Sequence, residues 1–325
     1  MGFLLSLKEG VPALEKLVNI VKMIADRIEN IPLTSKDTKI DGELYMHPSS
    51  AMVSTDNGEA LGSCIRRVFF DKSPEPFKVT NPTTSYNIMI TDSGNMWEAW
   101  VIEKYKQLGI YLDNSIKIVD NTYKISCELD ILHTNPEENT VEVTEVKSYA
   151  GNNYSAVKEV LGTEYTPPKP KDQNLLQVVC YLLVLKRYDI NKVNLLYIDR
   201  SSSSFFNNKQ FIFYLDGDDI YYSTLFKGEW IEVKETRFTV SSIIEKWNVL
   251  IQMLEMSVVP PPDYYPQYTD SILESEYAKG LVTKTNYSKA KSGVIQTHDM
   301  CSYQCRYCPY WKNKDTGESI CLNHK

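Results

Sequence analysis

Two carboxylates and a lysine near the middle of the chain have a spacing that could support metal chemistry. Side chains two apart on a strand share a face, so Glu145 and Lys147 would project together while Val146 points away. Residues 135–139, Asn-Pro-Glu-Glu-Asn, have turn composition, and a hairpin folded about them places Asp130 opposite Glu145. Facing carboxylates repel each other unless a cation lies between them, and hard oxygen ligands favour magnesium or manganese. The alternative is a surface strand that merely alternates Glu and Lys.

Further residues extend this pattern into an ordered set of motifs. Gln177 and Tyr181 are four apart on a predicted helix and therefore on one face, and Glu98 lies upstream in Gly-Asn-Met-Trp-Glu. With Asp130 and Glu-Val-Lys, the set resembles the PD-(D/E)xK nuclease superfamily, in particular its RecB-like branch, over roughly residues 60–325. The resemblance implies an α/β, restriction-endonuclease-like core, in which a mixed central sheet is flanked by helices. It implies catalytic roles for Asp130, Glu145, Lys147, Gln177 and Tyr181, and metal ligation by Glu98, Asp130, Glu145 and Val146. The alternative for Gln177 and Tyr181 is an ordinary place on the helix surface and in the core.

Cysteines are concentrated in the last 25 residues at positions 301, 305, 308 and 321, whereas Cys127 and Cys180 lie in apolar segments typical of core residues. In a cytosolic chain such a cluster favours a metal or iron–sulfur site over disulfides. The Cys-x-x-x-Cys-x-x-Cys pattern also occurs in radical S-adenosylmethionine enzymes, but those enzymes need most of a barrel after it. We therefore discount that match, since 17 residues follow Cys308.

The iron–sulfur members of the RecB-like branch, including the AddB subunit and the CRISPR-associated RecB-type nucleases, resemble this chain more closely. They hold a four-iron, four-sulfur cluster with one upstream and three C-terminal cysteines. The resemblance therefore implies thiolate ligation by Cys64, Cys305, Cys308 and Cys321 in a C-terminal cysteine-cluster segment. Two departures leave alternatives open: the gap between the last two cysteines is longer than in the family, and Cys301 is a fifth candidate. Zinc, which accepts four thiolates equally well, is the alternative metal.

The formal net charge of −7 argues against a protein whose whole surface coats nucleic acid, but the C-terminal part is locally basic. From Tyr277 onward the sequence contains eight Lys or Arg and three Asp or Glu, and its basic residues alternate with aromatic ones. Arg306, Tyr307 and Trp311 are candidates for phosphate contacts and base stacking on a single strand, although an amphipathic surface is the alternative. No stretch reaches the roughly 18 apolar residues of a membrane helix. We expect a location in the cytoplasm, or in the host cytoplasm for a phage-encoded protein, and no membrane partner.

Hydrophobic periodicity predicts the elements that must position these residues. An amphipathic helix is expected at residues 10–30, and the remainder of segment 1–60 is predicted to be mainly loop. A nuclease core at 61–259 would hold most regular structure, and 260–325 would form the cysteine-cluster segment. Predicted helices cover about 94–108, 172–187 and 242–258; predicted strands cover about 115–119, 123–133, 140–148, 193–199, 209–215 and 229–239. Residues 150–171 are expected to form a loop, and little periodicity is found after residue 260.

The function implied by the resemblance is hydrolysis of DNA phosphodiester bonds by metal-activated water. A single-stranded DNA exonuclease acting in recombination, repair or DNA-end processing fits best, with a helicase or a recombination or CRISPR-adaptation protein as a partner. The alternative is a non-catalytic iron–sulfur subunit that binds DNA or assembles a complex. The presence of all three of Asp130, Glu145 and Lys147 argues against that alternative.

Overall fold

A computed structural model of the chain describes residues 39–40, 43–75, 77–81, 85–149, 154–200, 208–313 and 316–324, with the backbone alone at 39–40, 85–91 and 154–157. The helix predicted at residues 10–30 lies outside the described residues. The chain forms two compact units, each built from two stretches of sequence. Unit 1 comprises Met1–Ala51 and Ile88–Ile244, and unit 2 comprises Met52–Asn87 and Glu245–Lys325. The boundaries predicted at residues 60 and 259 stay predictions.

The regular elements follow one another in this chain order. The strands are β1 Lys39–Ile40, β2 Glu43–Leu44, β3 Met52–Ser54, β4 Ala60–Gly62, β5 Tyr111–Asp120, β6 Ile125–Asn135, β7 Thr140–Tyr149, β8 Val193–Asp199, β9 Lys209–Asp216, β10 Asp219–Phe226 and β11 Glu229–Lys234. The α-helices are α1 Ile65–Lys72, α2 Ser85–Gln107, α3 Tyr154–Leu161, α4 Asp172–Leu185, α5 Val240–Glu255, α6 Asp270–Ala278, α7 Lys284–Lys291, α8 Tyr303–Arg306 and α9 Ile320–Asn323.

Unit 1 is built on a mixed sheet of seven strands in the order β11-β10-β9-β8-β7-β6-β5. The β7–β8 pair is parallel and the other neighbouring pairs are antiparallel. Residues 141–146 of β7 are all buried, as expected for a strand covered on both faces. The pairing of β6 with β7 runs from Asn135↔Thr140 to Ile131↔Thr144, so the predicted hairpin and its register are confirmed.

Helices cover the two faces of this sheet. Val146 packs in a cluster with Val101 of α2, Ile131 and Ile198, which places α2 on the Val146 face. Glu145 points to the opposite face from its neighbour Val146, because adjacent strand residues point to opposite sides. Helix α4 covers that opposite face, since its Gln177 donates a hydrogen bond to Glu145. Leu175 to Leu185 of α4 are all buried, so this helix is held almost completely within the core.

Unit 2 combines the β3–β4 hairpin and α1 with the helices from α6 onward. A small core forms around Leu273, Tyr268, Val282 and Ala290. The buried guanidinium of Arg66 joins the two stretches of the unit, since its Nε donates to Pro260 O at 2.6 Å and one terminal nitrogen donates to Cys321 O at 2.8 Å. The C-terminal region is therefore structured, where sequence periodicity alone indicated little order.

Several predicted elements need correction. The expected loop at 150–171 contains α3, α2 begins at Ser85 and not near residue 94, and β10 was missed. Strand β11 ends at Lys234, before the predicted limit of 239. Helices α6 and α7 are short and polar, so their periodicity is weak, but Thr269 and Thr283 cap their first turns. None of the helices that the structure describes combines the length and the apolar character that crossing a membrane requires.

Candidate active site

Glu145 lies at the centre of a buried polar cluster on β7. Its Oε1 is ion-paired with Lys147 Nζ and also accepts a hydrogen bond from Gln177 Nε2 of α4 at 2.7 Å. Its Oε2 is buried and has no hydrogen-bond partner among the residues that the structure describes. Glu142, three residues earlier on the same strand, is buried too, but its two oxygens accept from Asn135 Nδ2 at 2.9 Å and Asn194 Nδ2 at 2.6 Å. The unpartnered oxygen is therefore particular to Glu145.

Asp130 of β6 is the second carboxylate of the cluster. Its Oδ2 accepts a hydrogen bond from the main-chain N–H of Val146 at 2.8 Å, which fixes it beside β7. Burial raises the pKa of Asp130 well above its ordinary value of 3.8, and the nearby Glu145 carboxylate raises it further against the opposing effect of Lys147. The two carboxylates that the hairpin register was expected to bring together thus interact electrostatically.

Gln177 and Tyr181 link the carboxylate cluster to helix α4. The Gln177 amide donates to Glu145 Oε1 and to the Tyr181 hydroxyl oxygen, both at 2.7 Å, which engages both hydrogens of its Nε2. Tyr181 in turn donates to Glu128 O of β6 at 3.1 Å. Because Tyr181 is fully buried, its pKa is raised, and its hydroxyl remains a donor. The two side chains are therefore part of the polar cluster and not merely of the helix surface and core.

Glu98 of α2 and Lys147 complete the set of ionisable groups. Burial raises the pKa of Glu98, and the Glu145 carboxylate raises it further. Burial lowers the pKa of Lys147, but the carboxylates of Glu145 and Asp130 outweigh this, so the pKa is raised and the ammonium stays charged. The carboxylates of Glu98, Asp130 and Glu145 all act on the Lys147 ammonium, and a divalent cation would relieve the repulsion among these carboxylates.

The donor set fits a hard divalent cation, although it is not arranged as a finished metal cage. Within the described ranges, no three or more His, Cys, Asp or Glu side chains form a group that could hold a metal ion. The fit rests on the chemistry of the donors: a buried carboxylate oxygen without a partner beside a second carboxylate. The roles predicted for Glu98, Asp130, Glu145 and Val146 as metal ligands stay predictions.

In unit 2 the thiol of Cys64 lies in electrostatic reach of three C-terminal cysteines. Burial raises the pKa of Cys305, and the thiols of Cys64, Cys301, Cys321 and Cys308 raise it further. Burial also raises the pKa of Cys308 to about 11, with further contributions from Cys321 and Cys64, and it raises the pKa of Cys321, on which Cys64 also acts. Cys64 thus acts on all three, whereas Cys301 acts on Cys305. Thiolates are the donors that an iron–sulfur cluster or zinc requires. Because no group of three or more such side chains in the described ranges is arranged to hold a metal ion, the predicted ligation by Cys64, Cys305, Cys308 and Cys321 stays a prediction.

The remaining cysteines are accounted for by packing. All seven cysteine thiols are free. Cys127 and Cys180 are buried in unit 1, and burial raises the pKa of Cys180 to about 12. Their predicted place in the core is confirmed.

The aromatic and basic residues predicted to contact nucleic acid have different environments within unit 2. Tyr307 is 54% exposed and Arg306 is exposed beside it. Trp311 instead donates its indole N–H to Pro266 O at 2.7 Å and is partly buried, so its polar atom is engaged inside the unit. Tyr303, which sequence reasoning missed, is 67% exposed and packs edge-on against Tyr307 with ring centroids 5.1 Å apart. Their i, i+4 spacing is the signal that could have found the pair.

Comparison with known proteins gives a distant likeness among solved structures. No family profile matches the chain, and no curated protein matches it in sequence. Among solved structures it is similar to an alkaline exonuclease (LHK-Exo) from Laribacter hongkongensis, with 12% identity, a TM-score of 0.31, and coverage of 61% of this chain and 77% of that chain. The structure of LHK-Exo in complex with dAMP aligns with 11% identity, a TM-score of 0.32, and coverage of 71% and 84%. A likeness this distant identifies no family and no activity.

Proposed function

We propose that this protein is a metal-dependent DNA nuclease of the PD-(D/E)xK type, with its active site at Asp130, Glu145 and Lys147. The observation that carries the proposal is the buried, unpartnered Oε2 of Glu145 beside the carboxylate of Asp130. A buried carboxylate oxygen without a partner is costly unless a cation binds it. A purely structural Glu145 would be expected to have both oxygens satisfied, as Glu142 has.

The residues around this oxygen have separable tasks. Glu145 and Asp130, with Glu98 and the main chain of Val146, would hold magnesium or manganese. The bound metal would lower the pKa of a water ligand and neutralise charge on a phosphate. Lys147 supplies a cation that can contact a phosphate oxygen or orient the attacking water. Gln177 holds Glu145 in a fixed rotamer through a 2.7 Å hydrogen bond, and Tyr181 fixes Gln177 in the same way.

For unit 2 we propose an iron–sulfur cluster held by Cys64, Cys305, Cys308 and Cys321. Support comes from the Cys64 thiol, which contributes to the raised pKa of each of Cys305, Cys308 and Cys321. The buried Arg66 donates to Cys321 O and opposes the rise that burial causes in the pKa of the Cys321 thiol, so its positive charge would stabilise a metal-bound thiolate there. Zinc remains the alternative occupant, and iron and zinc contents of the purified protein separate the two.

The substrate we propose is single-stranded DNA digested from an end, as in the RecB-like branch. Unit 2 exposes a cation, the Arg306 guanidinium, which suits a phosphate. It also exposes two aromatic rings, those of Tyr303 and Tyr307, on which unpaired bases can stack. A helicase or a recombination or CRISPR-adaptation protein would supply such strands. Predicted contacts by Trp311 would use its ring, since its N–H is engaged.

The test is digestion of single- and double-stranded DNA, labelled at either end, by anaerobically purified protein with magnesium, manganese or a chelator. Glu145→Gln and Lys147→Met should abolish metal-dependent cleavage. Glu142→Gln is the matched control, because it alters a buried glutamate of the same strand whose oxygens are already satisfied. The fragment pattern reports polarity. Failure of the folded, DNA-binding wild-type protein to cleave under every metal condition would refute the nuclease and favour a non-catalytic DNA-binding subunit.

A further inference from the structure

One segment of unit 2 contains lysines and no acidic residue, although the chain as a whole has a net charge of −7. From Tyr277 to His298 the sequence contains four lysines and neither aspartate nor glutamate. The segment includes all of α7 and the turn that joins α6 to it. Protein surfaces usually intersperse charges of both signs, so an uninterrupted basic segment indicates a surface that meets an anion.

Packing within unit 2 fixes one side of α7. Its Ala290 is buried in the small core with Leu273 of α6, and the Tyr287 ring stacks on Tyr277 with the ring centroids 4.0 Å apart. The Tyr287 hydroxyl also donates to Glu274 Oε2 of α6 at 2.7 Å. The helix is therefore anchored by one side and presents its other side to solvent in a fixed orientation.

The solvent-facing side of α7 offers positive charge and hydroxyl groups. Its exposed residues Lys284, Thr285, Ser288 and Lys289 lie within an arc of about 140°, because successive residues are about 100° apart around an α-helix. The two lysines are five residues apart, which is about 7.5 Å along the helix axis. Among the residues that the structure describes, no carboxylate forms an ion pair with either of these two lysines.

The acidic residues between positions 270 and 300 all have partners of their own. The pairs are Glu274 with Lys291, Glu276 with Lys279 at 3.2 Å, Asp299 with Lys312 at 2.8 Å, and Asp270, which accepts from the Thr297 hydroxyl at 2.9 Å. Glu59, from the turn between β3 and β4, acts on Lys279. The charges of Lys284 and Lys289 therefore remain available to a ligand.

The residue types on this side of α7 argue against a surface that is only solvated. Threonine and serine are poor helix formers, yet Thr285 and Ser288 occupy exposed positions where alanine, glutamate or glutamine would stabilise the helix more. No glutamate within α7 forms a stabilising pair four residues before a lysine. Lysine, serine and threonine are instead residues that contact nucleic-acid phosphates.

The same side of α7 carries no aromatic ring, which favours a duplex over a single strand. Single-strand sites combine positive charge with rings on which unpaired bases stack. The tyrosines of α6 and α7, Tyr277 and Tyr287, stack on each other instead. A duplex keeps its bases inside and presents phosphates. Two nucleotide steps along one strand advance about 6.8 Å, close to the axial separation of Lys284 and Lys289.

We propose that the side of α7 formed by Lys284, Thr285, Ser288 and Lys289 binds the phosphate backbone of double-stranded DNA. The inference rests on the proposed function for the kind of nucleic acid, and it adds a duplex-binding surface to the surface proposed for the single strand. Phosphate contacts carry no sequence information, so binding is independent of sequence. The substrate class that this adds is duplex DNA with a single-stranded end.

The test is equilibrium binding in chelator of a blunt duplex, a single strand of the same length and phosphatidylserine vesicles, over a range of salt concentrations. Lys284→Gln and Lys289→Gln should each reduce the slope of log K against log salt for the duplex by about 0.9 and weaken its binding about eightfold at about 0.1 M salt. Lys284→Arg and Lys289→Arg keep the charge and should bind like the wild-type protein. The matched control is Lys78→Gln, which alters an exposed lysine of the same unit that is ion-paired with Glu318.

Each outcome decides the inference. Weaker binding of the duplex, with the single strand unaffected, supports it. Equal losses for both DNAs, or wild-type duplex affinity in both glutamine variants, would overturn it. Loss of vesicle binding with unaltered duplex affinity would also overturn it, because the ligand would then be a lipid surface. Weakened duplex binding in variants of a protein that never cleaves would keep this surface and reject the nuclease, whereas cleavage with unaltered duplex binding would reject the surface alone.

Discussion

Substitution of either of two buried glutamates on the same strand should have a different effect on how strongly a divalent cation stabilises the protein. In the part of the chain that the structure describes, Oε2 of Glu145 has no hydrogen-bond partner, whereas both oxygens of Glu142 accept hydrogen bonds from asparagines. If a cation completes the Glu145 site, it binds the folded state and not the unfolded one. Magnesium should then raise the melting temperature of the wild-type protein and of Glu142→Gln, but not that of Glu145→Gln.

The expected size follows from linkage. A ligand present at 100 times its Kd adds about 2.7 kcal/mol to the free energy of unfolding. With an unfolding entropy of about 2.1 cal/mol/K per residue, 325 residues give about 0.7 kcal/mol/K, so the melting temperature should rise by about 4 °C. In Glu142→Gln an amide NH2 group replaces one carboxylate oxygen and cannot accept the hydrogen bond that an asparagine donates there. This should lower the free energy of unfolding by about 1–3 kcal/mol, and the melting temperature by about 1.5–4 °C, with or without metal.

The assay is thermal unfolding followed by circular dichroism over a magnesium titration at constant ionic strength. Circular dichroism of the metal-free proteins checks that each variant is folded. A melting temperature of Glu145→Gln that rises with magnesium as much as that of the wild-type protein would refute the metal site at Glu145. So would a magnesium response lost equally in Glu142→Gln, because the effect would then be general to the strand.

Three further outcomes are expected. Anaerobically purified Cys64→Ser should lose most of its iron and its near-ultraviolet and visible absorbance. Cys301→Ser should retain both. The reverse result would make Cys301 the fourth ligand. Tyr181→Phe should lower the free energy of unfolding by about 1 kcal/mol in denaturant titrations, since the hydrogen bond to Glu128 O is lost. The same substitution should lower kcat more than it raises KM. An unchanged kcat would contradict the positioning role of Tyr181. Burial lowers the pKa of His133 below its ordinary 6.5, so the folded state favours the neutral imidazole: the stabilisation is complete above pH 6.5 and is lost as the pH falls through the folded-state pKa. His133→Gln should flatten the fall in unfolding free energy below pH 6.5, and an unaltered pH profile would count against this residue as its source.

Local patterns predicted the part of the site that lies on the hairpin. The turn composition at 135–139 determines the β6–β7 register, and that register alone brings Asp130 to Glu145. The helix predicted at about 172–187 is likewise confirmed as α4, and the structure adds that its residues Leu175 to Leu185 are all buried. Both inferences depend on neighbours in sequence, for which periodicity and turn chemistry are reliable guides.

Contacts between distant segments could not be obtained in this way. The hydrogen bond from Gln177 to Glu145 depends on where α4 docks against the sheet, and no local pattern encodes that position. Cys64 and Cys305 are 241 positions apart, so their proximity could be expected only from the family resemblance. Helices α6 and α7 were missed because their exposed polar residues weaken the periodic signal.

The discontinuity of unit 2 has a consequence for the order in which the molecule is made. Cys64 belongs to the stretch that is synthesised early, but Cys321 is added 257 residues later. At about 5–20 residues per second, the synthesis of Cys321 follows that of Cys64 by about 13–51 s, and the second stretch of unit 1, Ile88–Ile244, is made in between. Unit 2 can therefore be completed only after the whole sequence of unit 1 has been synthesised.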